Sequence, residues 1–263
     1  MGSFPNVIFG DYGSERKTYS TKPGSLELGD MMIQRDGSVF AFCKAGGTAL
    51  VAGQLYQQGT YASVCGSADA HAVIDLAVAS GGVAGSSTVV LTMAGTAMTK
   101  DILAGGILFV SEATGYGTGV AHRIKSNSAA STVGALTVTI EDTFAVSLSA
   151  GTSKCGLRNP EYSNLILTTA DTVGLGLLAG VAPSPVVASY YGWIQRKGRC
   201  ACLTDGTVII GEAVVQSSAL AGAVCAHPAN TASALTPKSI NDIGWCLNVA
   251  ASTKYSLIYL TLP

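Results

Sequence analysis

The sequence predicts an all-β fold: short antiparallel strands forming barrels or sandwiches, with an extended N-terminal arm and an inserted β domain. Three observations predict it. Apolar residues alternate with Thr at a period of two, as in Val89, Leu91 and Met93 against Thr88 and Thr92. That period puts one face on a core and the other toward water. Polar residue plus Gly recurs as Asp36-Gly37, Lys197-Gly198 and Asp205-Gly206, and Gly accepts the positive φ of a tight turn. No segment carries the 3.6-residue periodicity of a three-turn helix.

Residues 1–28 show neither period. Phe4, Ile8, Phe9 and Tyr12 stand as apolar islands among Gly, Ser, Lys and Glu. Two readings are open: a disordered tail, or an arm that docks these four side chains on a neighbour. They are the candidate interface residues. From Met31 the chain becomes β. Residues 31–34 and 39–43 flank Asp36-Gly37, and residues 50–56 form a further strand. Residues 57–70 are looser. In residues 72–79 Ala favours a short helix, whereas Gly81-Gly82 and the β neighbours favour a strand.

Residues 84–158 read as a unit of their own, inserted in a main β domain made of residues 29–83 and 159–263. Residues 106–110 are a buried-strand run. Val120, His122 and Ile124 alternate with Ala121, Arg123 and Lys125, and Leu136, Val138 and Ile140 with Thr137, Thr139 and Glu141. Beyond it, residues 164–168 form a strand and 173–187 a Gly/Pro-interrupted crossing. Residues 190–211 read as three strands separated by turns at Lys197-Gly198 and Asp205-Gly206. Ile33-Gln34-Arg35-Asp36-Gly37 is echoed by Ile194-Gln195-Arg196-Lys197-Gly198. The echo reads as two similar hairpins side by side, with coincidence as the alternative. Residues 212–254 supply short strands. Residues 255–262 are apolar on both faces, which suits a buried terminal strand.

Composition narrows the function. Hydrophobic residues make up 48% of the 263 and charged residues 12%, against a usual ~25% charged. A compact monomer of this size exposes roughly 10,000 Å², thinly covered by 15 basic and 16 acidic side chains. Either the surface is Thr, Ser, Gly and Ala, or much of it is covered in an assembly. The net charge of −1 supplies no field for nucleic acid or an acidic membrane. No apolar stretch has the length of a membrane helix, and no basic segment followed by an apolar run marks a secretory signal. Seven scattered cysteines then read as reduced, buried thiols.

Chemical constellations are sparse. Gly115-Tyr116-Gly117-Thr118-Gly119 lacks the Lys-Ser/Thr of a phosphate loop and a following helix, and reads as a hairpin between Leu108 and His122. Cys200 and Cys202 at i and i+2 share a strand face with parallel side chains, unlike the converging knuckle of a zinc site with Cys225 and His227. No cofactor or metal is expected. His122 falls on the apolar face of its strand, as a satisfied core or interface histidine. Glu141-Asp142 suits a turn cap better than a glycosidase pair. No nucleophile elbow occurs. Trp193 with Tyr190 and Tyr191 suits a core or subunit interface better than a sugar platform.

Tyr190-Tyr191-Gly192-Trp193-Ile194-Gln195, with Asp205-Gly206-Thr207 and Gly211, resembles a pattern in structural proteins of tailed bacteriophages, of the capsid decoration (cement) type. Ala104-Gly105-Gly106, Arg123-Ile124-Lys125, Asn159-Pro160-Glu161-Tyr162 and Tyr255-Ser256-Leu257 follow in the same order. The resemblance covers about residues 30–263; its motifs are structural glycines and aromatics. It implies a homotrimer without enzymatic activity, made in the host cytoplasm. It places the protein on the capsid exterior, bridging subunits of the major capsid protein. A glycan-binding module associated with a phage tail or fibre is the alternative, and would need a cleft with exposed aromatics and carboxylates.

Overall fold

The computed structural model describes residues 7–59, 73–93, 95, 97–113, 117–170, 176–227 and 242–262. Phe4, His71 and part of the Gly115–Gly119 turn lie outside them. The chain is nearly all β and divides into two compact units, Met1–Gly59 with Glu161–Pro263, and Thr60–Pro160. The first unit contributes β1 (Val7–Phe9), β2 (Met31–Ile33), β3 (Val39–Lys44) and β4 (Leu55–Gln58). The second holds β5 (Val73–Gly81), β6 (Thr88–Thr92), β7 (Ile107–Glu112), β8 (Ala121–Asn127), β9 (Ala135–Ile140) and β10 (Lys154–Arg158). The first unit resumes with β11 (Leu165–Leu167), β12 (Leu178–Val181), β13 (Tyr191–Leu203), β14 (Ala213–Gln216), β15 (Val224–Ala226), β16 (Gly244–Cys246) and β17 (Tyr255–Thr261).

The second unit is a closed six-stranded barrel in the order β10-β5-β6-β9-β8-β7. Its inward positions are those that the alternation marks: Val89, Leu91, Leu136, Val138, Ile124 and Ile140 are fully buried, and Thr88, Thr137 and Thr139 lie between them on the other side. Six strands leave an interior that side chains fill. The unit begins earlier than residue 84. β5 is a strand, and it pairs antiparallel with β10 and β6. Without it the barrel could not close, so residues 73–81 belong here and not to the main domain. β7 and β8 form the expected hairpin, with Leu108 opposite His122.

Among the described residues, the first unit is an eleven-stranded mixed sheet. Its main path runs β1-β2-β3-β13-β17-β16-β14-β15, while β4 pairs with β11 and β12, and β12 also with β13. The strand pairs are antiparallel except β1 on β2, which is parallel. Residues 190–211 differ from the expected meander. β13 runs 13 residues without turning at Lys197-Gly198. Its first half pairs with β3 and its second half with β17, and the register to β3 slips between Gln195 and Lys197. Gly198 has φ +92°, and a Cβ there would stand 2.4 Å from Ser38 Oγ. The glycine therefore bends a continuous strand past its neighbour rather than closing a hairpin. The Gln195 amide secures the bend, donating to the carbonyls of Lys197 (3.1 Å) and Arg199 (2.9 Å). Asp205-Gly206 does turn, but Val208 makes only a single bridge to Ala250, and residues 207–211 are no third strand. The echo at 33–37 is a true hairpin between β2 and β3, and it lies beside β13 through the β3 pairing.

The N-terminal segment is not a free arm over residues 7–28. β1 lies on β2, Tyr19 exchanges two backbone hydrogen bonds with Tyr191 (2.9 and 2.8 Å), and Leu26 is buried. The reason is apolar cover. Leu26, Met32, Phe40, Phe42 and Trp193 form one cluster, with Ile8, Tyr19 and Tyr191 packed against it. Tyr191 stacks on Phe42 at 5.9 Å between ring centroids, and Trp193 meets the same ring edge-on at 5.2 Å. The aromatics of β13 are thus core.

Candidate binding surface

β17 carries the open face of the first unit. β17 alternates strictly. Ser256, Ile258 and Leu260 point into the core, and Tyr255, Leu257 and Tyr259 are exposed at 50%, 40% and 46%. Both faces are apolar, as the sequence reads, yet only one is buried. The neighbouring strands extend the open face. Trp245 of β16 stands opposite Tyr259 and is 47% exposed. Leu247, exposed as well, donates its backbone N–H to the Leu257 carbonyl at 2.8 Å. On the other flank β13 sets Arg199 opposite Tyr259 and Ala201 opposite Leu257. Cross-strand neighbours on one face lie about 4.5–5.5 Å apart, so these side chains form a continuous apolar strip with a basic border.

Local bonds hold the strip in shape. Asn248 Oδ1 accepts the Leu257 N–H at 2.6 Å, and Ser256 Oγ donates to the Asn248 carbonyl at 2.6 Å. Ile209 and Ile210, both exposed, sit in a loop pinned to the same end by the Gly211 N–H on the Cys246 carbonyl at 2.9 Å. An apolar strip built on paired strands needs no reorganisation before it meets a partner.

Next to the strip lies an open-sided cleft of about 610 Å³. Tyr12, Glu15 and Arg16 from the N-terminal segment line it, together with Asp36 from the β2–β3 hairpin, Arg199 of β13 and Tyr255 of β17. Asp36 is fixed by the Ser38 N–H and hydroxyl, each donating at 3.0 Å. Glu15 Oε2 accepts from Gln34 Nε2 at 2.6 Å and the Gly13 N–H at 2.7 Å, and Oε1 pairs with Arg16 Nε at 3.3 Å.

Of the four candidate interface residues, Phe4 lies outside the described residues. Ile8 turns toward the Phe42–Trp193 cluster. Phe9, 84% exposed, and Tyr12, 67% exposed, remain open, and Tyr12 is the one that joins the cleft. Trp245, Leu247, Leu257 and Tyr259 are missing from that set. Their signal is present in the sequence, in a terminal strand apolar on both faces, but it reads as burial.

The remaining chemical groups are structural. Cys200 and Cys202 are buried on one face of β13. The Cys202 thiol is held well above its usual range by its hydrogen bond with Cys200 and then by burial. Burial likewise pushes Cys43 up to about 12 and Cys155 up to about 11, which keeps both as thiols at neutral pH. Among the described residues no three His, Cys, Asp or Glu side chains converge to hold a metal ion. His122 is buried in the barrel. Its Nδ1 lies 2.9 and 3.0 Å from the carboxylate oxygens of Asp142, and its ring meets Phe144 edge-on. Among the described residues no helix is long and apolar enough to cross a membrane.

No protein-family model matches this chain, and no curated protein or solved structure is similar to it.

Proposed function

We propose that the chain is a structural virion protein that binds the outer surface of a tailed-phage capsid and cements neighbouring major-capsid subunits. One observation carries the reading: the strip of Trp245, Leu247, Leu257 and Tyr259 left open on a sheet whose other face is fully packed. Burying a fully exposed side chain of this kind gains about 1.5–3 kcal/mol before ordering losses, and covering the part of each that is still open gains roughly half of that. A partner that covers the strip gains that energy without restructuring either unit. The sparse charge supports a covered surface, and the resemblance of residues 190–211 and 255–257 to cement proteins supports the shell as the partner. Such a protein acts without catalysis, cofactor, nucleic acid or membrane. By binding the assembled shell and not its free subunits, it stabilises the shell by mass action, and a homotrimer would present three strips to adjoining subunits.

The test is stoichiometry on purified particles. Quantitative mass spectrometry is expected to find many copies per virion, lost when Trp245 and Tyr259 are both replaced by Ser. A few copies per particle, or an unchanged number in the double variant, overturns the proposal.

A further inference from the structure

We propose that the cleft between Tyr12 and Tyr255 is a binding site for a neutral oligosaccharide. Its volume, about 610 Å³, falls within the ~300–1,000 Å³ typical of small-ligand sites. Its flanks are two exposed tyrosines, and one is built to stay in place. Gly53, at φ +75°, lies against the Tyr255 ring, and a Cβ at that position would stand 2.5 Å from the ring edge. Backbone therefore packs against one edge of the ring within the cleft, and the ring stays half exposed. A tyrosine held in this way offers a flat apolar surface to the C–H face of a sugar, and its hydroxyl remains for a polar contact.

The polar lining points to the same class. Asp36 and Glu15 are oriented by the hydrogen bonds described above before any ligand arrives. An ionised carboxylate has about four acceptor sites, so each keeps capacity for hydroxyl donors. Arg16 and Arg199 add donors. The two acidic and two basic side chains cancel, so the cleft has no net charge with which to draw an anion or a cation. A phosphate or uronate would face Asp36 and Glu15, and a purely apolar ligand would strip water from four charged groups without replacing it. A polyhydroxylated neutral ring satisfies both kinds of surface.

This site is separate from the capsid reading, and the two are tested with different residues. The full chain is passed over a printed array carrying neutral hexose oligomers, uronic-acid glycans and sialylated glycans. The same array is then probed with Tyr12→Ala, Tyr255→Ala and Trp245→Ala, each checked for an unchanged melting curve. Neutral oligomers are expected to be retained. Retention should fall about tenfold in each tyrosine variant and stay unchanged in Trp245→Ala, which lies outside the cleft. Retention of no neutral glycan, retention of acidic glycans alone, or retention by either tyrosine variant equal to that of the unmodified chain overturns the proposal.

Discussion

The two units solve the same problem in opposite ways. In the barrel every strand has two neighbours, and the outer positions of β9 carry Thr137 and Thr139 while Leu136, Val138 and Ile140 fill the interior. In the sheet unit β17 keeps the same period but puts Tyr255, Leu257 and Tyr259 outside. The barrel closes on itself with no unpaired edge, and β9 turns Thr outward. The sheet unit is finished only on one side. The contrast extends to buried polar groups. Among the described residues, the buried side-chain atoms without a hydrogen-bond partner belong to Gln57, Thr169 and Arg196, all in the sheet unit. Among the described residues the barrel is closed with its buried polar side chains paired, whereas the sheet unit leaves an apolar face open.

The largest expected effect breaks the barrel side of this contrast. Leu91 is fully buried and projects into the closed interior. Leu91→Ala should lower stability by about 2–5 kcal/mol, the range for a large-to-small core change, read as a shift in the urea midpoint of the barrel transition. A loss under about 1 kcal/mol would mean a loosely packed interior, and the contrast would fail.

A smaller loss is expected at the bend of β13. Gly198→Ala must hold a non-glycine residue at φ +92° with its Cβ 2.4 Å from Ser38 Oγ, so β3 and β13 have to separate. Strain of this kind costs about 1–3 kcal/mol. Gly37→Ala, at φ +83° with nothing within 4 Å of the new Cβ, isolates the backbone contribution and should cost about 1 kcal/mol. Equal losses in thermal unfolding of the two variants would show that the close approach to Ser38 carries no strain.

Gln57 works in the other direction. It is fully buried in β4, and neither amide atom has a partner. An unsatisfied buried polar group costs about 1–3 kcal/mol. Gln57→Met keeps the length of the side chain and removes both polar atoms, so it should raise stability by about 1 kcal/mol, read as an upward shift of the unfolding midpoint. A drop instead would show that the amide is satisfied by bound water.

How much of this was legible in the sequence follows from the same contrast. The barrel strands are readable because Val89, Leu91, Leu136 and Val138 alternate with Thr, so period and polarity agree. The start of the barrel was not, because the Ala-rich residues 72–79 have no such polarity difference. Lys197-Gly198 has the composition of a hairpin turn, and only the approach of Ser38 reveals a bend within one strand. The strip on β17 was hidden by its own composition: two apolar faces look alike until a sheet covers one of them. The cleft could not be read at all, since Tyr12, Asp36, Arg199 and Tyr255 are distant in the chain and meet only through the order of β2, β3, β13 and β17. In the sequence Tyr12 is an apolar island, either in a disordered tail or docked on a neighbour, and the fold sets it in the lining of the cleft.

The smallest expected effect is the most informative. Leu257 and Tyr259 are partly exposed on a strand whose inward positions already hold the fold. Replacing both by Ser keeps the strand's hydrogen bonds and its core face, so stability should change by no more than about 0.5 kcal/mol per site. Ser at the same outward positions makes β17 resemble the Thr-lined strands of the barrel. Binding of an apolar fluorescent dye to the free protein should fall, because the exposed strip loses its two central side chains. A loss of several kcal/mol, comparable to Leu91→Ala, would mean that the outer face is packed within the chain. The distinction between the finished and the unfinished unit would then be lost. Unchanged stability together with reduced dye binding separates what folds this sheet from what it presents to a partner.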